Sequence, residues 1–124
     1  MAKAVLAIGI EPALADVSGM PGLTPQLIRD YINRQFDQLR ALGYEVESCL
    51  IDLGETAEDV VTAALRSRRY DCVVIGAGLR LPPALLLLFE KVINLVHIHA
   101  RDARICFNTN PGDTVEAVQR WVAP

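Results

Sequence analysis

Hydrophobic residues in this chain fall into short continuous runs, separated by segments in which they recur every three or four positions. Ala4 to Ile10 and Cys72 to Ile75 are apolar at nearly every position. Runs of that length, rich in stiff β-branched side chains, suit strands buried on both faces. Tyr44 to Ile51 opens by alternating, with Tyr44 and Val46 against Glu45 and Glu47, as suits an edge strand. Arg104 to Asn108 reads as a fourth strand.

Between these runs the period becomes helical. Thr24 as N-cap and Pro25 at the first helical position open a helix carrying Ile28, Ile32, Gln35/Phe36 and Leu39 inward, and Gly43 stands where a left-handed cap is wanted. Thr56 and Asp59 have capping-box spacing ahead of a second helix that buries Val60, Val61, Ala64 and Leu65. Pro82 and Pro83 begin a third, running to about His99. Asp113 and Glu116 open a short last one, with Val115, Val118 and Val122 inward.

Strands alternating with helices predict an α/β fold, a three-layer α/β/α sandwich with a four-stranded parallel sheet in the order 2-1-3-4. Right-handed crossovers place the first and last helices on one face and the second and third on the other. The 124 residues suffice for one such domain, 1–124, and no linker divides them.

Composition narrows the function classes. A formal charge of −3 and a pI near 5.3 argue against nucleic-acid and anionic-membrane partners, which need a basic field. Arg66, Arg68 and Arg69 are the one basic cluster, and at the end of a helix they complement its dipole. The apolar stretch from Ala84 to Ile98 is too short for a bilayer and contains Glu90, Lys91, Asn94 and His97. Glu11 and Pro12 interrupt the first apolar run too early for a leader. Cys49, Cys72 and Cys106 are widely spaced within predicted strands, so buried reduced thiols in a cytoplasmic protein are expected. No metal or cofactor motif is present; His97 and His99 lie about 200° apart on a helix and cannot share an ion.

In an open doubly wound sheet, ligands bind beyond the carboxyl ends of the strands where the winding reverses. Here that point lies between the first and third strands. It is faced by Gly9, Ile10 and Glu11, by Gly76, Gly78 and Arg80, and by Asn108 and Asn110 after the fourth strand. The connection 11–23, punctuated by Pro12, Gly19, Pro21 and Gly22, is long for a βα unit, and adds Asp16 and Ser18. The expected ligand-binding set is Gly9, Glu11, Gly76, Gly78, Arg80, Asn108 and Asn110, with a small anionic metabolite as ligand. Two arrangements are open for Glu11 and Arg80: an exposed ion pair across the crevice, or an Arg80 anion clamp with Glu11 or Asp16 as acceptor. Asn108 and Asn110 equally suit turns, where their amides cap backbone groups. The glycines match neither a Walker loop nor the full dinucleotide fingerprint, and no nucleophile with a base at suitable spacing is identifiable.

The third helix is apolar around most of its circumference, with Glu90, Asn94 and His97 as a narrow polar stripe between Leu86, Leu87, Ile93 and Ile98. A helix this apolar needs a second cover, and a homodimer is the expected one.

The segments Ile51 to Thr56, Val73 to Arg80 and Phe107 to Pro111 are similar to those of short single-domain bacterial proteins of flavodoxin-like or receiver-like topology. That resemblance implies the fold and carries no reaction with it. A phosphoacceptor receiver would place an acidic pair after the first strand, an aspartate after the third and a lysine after a late one. Gly9-Ile10, Gly76 and Asn108 stand there or thereabouts, and Glu11-Pro12-Ala13-Leu14 supplies no flavin phosphate loop. Phosphotransfer and FMN binding are therefore not expected. The expected function is small-ligand binding at the strand ends, with self-association through 83–99 as the alternative.

Overall fold

In the computed structural model, which describes residues 2–18 and 21–124, the two apolar runs pair directly. Strand β1 (Ala4–Ile10) lies between β2 (Glu45–Ile51) and β3 (Cys72–Ile75), and β4 (Arg104–Phe107) joins the far side of β3. All pairings are parallel and the order is β2-β1-β3-β4, as expected. Val5 stands opposite Cys72 and Ile8 opposite Ile75, while Ala4 to Ile10 match Glu45 to Ile51 without a slip. Gly19, expected to punctuate the 11–23 connection, lies outside the described residues.

Alternation along the strands divides the core. Leu6, Ile8, Ile10, Val73 and Ile75 pack beneath α2 (Ala57–Ser67) and α4 (Leu86–His99). Val5, Cys72, Val74 and Cys106 pack beneath α1 (Pro25–Ala41) and α5 (Thr114–Gln119). Val5, Val73 and Ile75 have no measurable exposure, so each contributes about 1.5–3 kcal/mol by burial. At the opposite end of the sheet from the expected site, Asp71 ties three strands. Its carboxylate accepts from the Ala4 amide (2.8 Å), its amide donates to the Ala4 carbonyl (2.8 Å), and its carbonyl accepts from the Arg104 amide (2.9 Å). Both edges carry an arginine on a strand carbonyl, Arg40 on Val46 at 3.2 Å and Arg120 on Phe107 at 2.7 Å, which blunts strand addition there.

The start and stop signals of α1 are as read: the Thr24 hydroxyl accepts from the Leu27 amide at 3.2 Å, and Gly43 has φ +103°. Three local expectations are corrected. Val60 is 39% exposed, because Ala57, Val61 and Leu65, spaced by four, already fill the inward line of α2. Thr56 and Asp113 make no side-chain cap. The Thr56 hydroxyl instead donates to Asp52 at 2.6 Å, and the Asp113 carboxylate turns back to the Thr109 amide at 2.8 Å. A short helix, α3 (Ala77–Arg80), follows β3 directly, because the Gly76 carbonyl accepts from the Leu79 and Arg80 amides. The Pro82-Pro83 start is a single 3-10 turn, Pro83–Leu85, before α4 proper.

All three cysteines are buried free thiols. Burial pushes the Cys49 thiol up to about 11, and the Cys72 thiol is pushed up by the hydrogen bond shared with the Cys106 sulfur (3.4 Å) and by burial. A thiol whose folded pKa lies above its unfolded one stabilises fully below the unfolded value of 9.0, and that contribution is lost as pH rises through the folded value. Urea midpoints should therefore fall from about pH 8 to about pH 11, and Cys49→Ala should fall less steeply. Parallel pH profiles for the two proteins would show that Cys49 has no part in the loss.

Candidate functional site

At the carboxyl end of the sheet the β1–β3 ladder runs out with the Gly76 amide donating to the Ile8 carbonyl at 2.9 Å. The side chains that β1 sends toward α1 shrink in order, Val5, Ala7, Gly9. Gly9, Gly76 and Gly78 follow in the same small region, and none has a positive φ; among the described residues that conformation is reserved to Gly22, Gly43 and Gly54. A Cβ on Gly9 or Gly78 would meet nothing within 4 Å, and one on Gly76 would sit at an ordinary 3.5 Å from the Ile8 carbonyl. These three glycines are not demanded by backbone strain. Their effect is to leave volume.

That volume is a cleft of about 210 Å³. Gly9 and Gly76 floor it, and Ile28 and Ile32 of α1 back it. Ala15, Val17 and Leu23 of the long connection and Ala77, Leu81 and Pro82 after β3 complete its apolar lining. Asn108, Thr109, Asn110 and Asp16 supply the polar part of the lining. A smaller hollow of about 60 Å³ continues beneath α1, past Ala7 and Gly9 toward Phe36.

The polar groups at the mouth are held in place by the turn that follows β4. Asn108 is buried; its Oδ1 accepts from the Ala77 amide (2.8 Å) and its Nδ2 donates to Thr114 Oγ1 (3.1 Å), joining β4 to α3 and α5. Asn110 Oδ1 accepts from the Gly112 amide at 2.7 Å. Asp113 accepts from the amides of Thr109 and Asn110 and from the Thr109 hydroxyl. Burial pushes the Asp113 carboxyl up, but these hydrogen bonds and Arg120 outweigh it and hold the pKa below the ordinary range. Asp16 accepts from the Ser18 hydroxyl (2.7 Å) and amide (3.0 Å), bonds that lower its pKa and keep it ionised at the rim.

Of the residues expected at the site, Gly9, Gly76, Gly78, Asn108 and Asn110 line this one cleft, and Glu11 and Arg80 stand outside its lining. Glu11 and Arg80 do not face each other. The Glu11 carboxylate pairs with Arg29 of α1 and accepts from the Ala13 amide. Arg80 lies 4.8 Å above the Phe107 ring and donates to the Asn108 carbonyl, while Phe89 meets the same ring edge-on. Burial lowers the Arg80 pKa, and its Nη1 is buried without a partner among the described residues. Sequence reasoning missed the apolar wall from Ala15, Val17 and Leu23, and the Ala7–Gly9 taper. Reading strand alternation by side-chain size as well as polarity would have found the taper.

Among the described residues no group of three or more His, Cys, Asp or Glu is placed to hold a metal ion, and no helix is long and apolar enough to cross a membrane. No protein-family model matches the chain, and no curated protein sequence matches it.

Asn108→Ala strands the Ala77 amide and the Thr114 hydroxyl together. The expected cost is about 2–3 kcal/mol of unfolding free energy, measured by urea denaturation. A loss below about 0.5 kcal/mol would show that water replaces the amide without penalty.

Proposed function

We propose that the chain is a small-ligand-binding α/β domain whose site is the cleft at the β1–β3 switch point. The observation that carries the reading is the alignment of three glycines, none of them required by its backbone angles, along one apolar cleft closed on one side by the long connection. The walls suit a ligand with a compact apolar body, and the asparagine turn suits a hydrogen-bonding end. The Gly78 amide has no protein acceptor among the described residues and is available to an oxygen of that end. Arg80 stands outside this lining, held on Phe107 and Asn108, so the cleft itself suits a neutral carbonyl end.

The test uses the openness at Gly9. A panel of small branched and aromatic carbonyl compounds should contain members that raise the melting temperature of the wild type in proportion to saturation. Gly9→Val should fold at least as stably, since its Cβ meets empty space and a β-branched residue suits the strand, and it should lose those shifts. Shifts retained in Gly9→Val would place binding elsewhere; no shift across the panel would remove the reading.

A second reading rests on α4. Val92, Leu95 and Val96 face the core, yet Leu87 is 74% exposed, and Leu86 and Ile98 are each more than half exposed. Water-facing leucines at this density favour self-association through this helix. Light scattering of the wild type should then give twice the chain mass and Leu87→Glu the chain mass, with the ligand-induced shifts unchanged. A monomeric wild type would end this reading and leave the first intact.

A further inference from the structure

Away from the cleft, at the opposite end of the sheet, α2 and α4 finish side by side. Their last residues and the turns after them, 66–70 and 99–103, line a second depression of about 380 Å³. Arg66, Arg68, Arg69, Arg101 and His99 line it, in a chain whose formal charge is −3. The sequence shows the first three arginines as a helix-end cluster; only the fold brings His99, at the end of α4, and Arg101, in the turn after it, to the same place.

The charges there do not cancel. Two helix C-termini contribute about half a negative charge each. Arg68 is matched by Glu45 at 2.8 Å and Arg69 by Asp102 at 3.5 Å. Arg66 and Arg101 have no carboxylate partner among the described residues, so two guanidiniums remain over and above the pairs. The Arg69–Asp102 bridge is 82% exposed on both sides, and a pair so solvated is easily exchanged for a better acceptor. The Tyr70 ring is buried, with the Arg68 guanidinium 5.7 Å from its centre, so it offers no open stacking face for a base.

We propose that this depression binds a compact polyanion of the diphosphate class. Arg66 and Arg101 are its primary donors, and Arg69 is recruited from Asp102 on binding. Planar guanidinium forks from two chain segments suit the several oxygens of adjoining phosphoryl groups, which one arginine cannot satisfy alone. The missing stacking face favours a free or small-molecule diphosphate over a nucleic-acid backbone.

Inorganic pyrophosphate serves as the probe, titrated calorimetrically in buffer balanced with chloride to constant ionic strength, with 31P line broadening as a second readout. The wild type should bind saturably at one site. Arg66→Gln and Arg101→Gln should each weaken binding by about tenfold, the scale of one lost charge-assisted contact. Asp102→Asn should tighten it, because Arg69 no longer has a competitor for its charge. Arg34→Gln, which removes the same charge at the Tyr31 ring on α1, should leave affinity unchanged. The proposal is overturned by a flat titration with an unbroadened 31P resonance, by an Arg34→Gln loss equal to that of the depression variants, or by an Asp102→Asn variant that binds no more tightly. Gly9→Val should not affect any of these measurements, which separates this site from the cleft.

Discussion

The constraint on which the rest of the molecule depends is that β1 is hydrogen-bonded on both sides. Because β2 and β3 flank it in parallel register, its backbone is satisfied inside the sheet and its side chains are buried on both faces. That position forces the crossovers to opposite faces. It also sets the tails of β1 and β3 beside each other, between α1 and the short α3. The cleft is the space this geometry leaves, and Gly9, Gly76 and Gly78 keep it from being filled.

The groups around the cleft divide into scaffold and surface. Asn108 belongs to the scaffold: both ends of its amide are used, so it fixes the distance between β4, α3 and α5. Arg80 belongs to the scaffold as well, since the Phe107 ring and the Asn108 carbonyl hold its guanidinium against the β4 end. What remains open to the cleft is mainly apolar wall and backbone. On the proposed reading, selection there would rest on shape and a few hydrogen bonds.

The two ends of the sheet are electrostatically unlike. The carboxyl end sets Glu11, Asp16 and Asp113 among Arg29, Arg80 and Arg120 around an apolar cleft, while the amino end gathers four arginines where α2 and α4 stop. A net charge of −3 describes neither end. Field strength at a site depends on which charges the fold collects and which carboxylates remain to neutralise them.

Much was legible in the sequence because local physics decides it. The continuous apolar runs of β1 and β3, the half-alternation of β2, the Thr24 cap and the left-handed Gly43 each follow from neighbours in the chain. Together with the handedness of crossovers they dictate the strand order and the location of the switch point. What a long side chain touches was not legible. Glu11 follows β1 and Arg80 closes α3, both at the same end of the sheet, but each has a second partner closer at hand, Arg29 and Phe107 respectively, and flexible side chains settle on the nearest good contact. The asparagine turn replaced the expected Asp113 cap for the same reason, since the Thr109 amide lay within reach. Strand order and helix faces are set by backbone pairing and the period of burial, which a sequence carries openly; side-chain partnerships depend on separations of a few ångströms between distant segments, which exist only once the chain has folded.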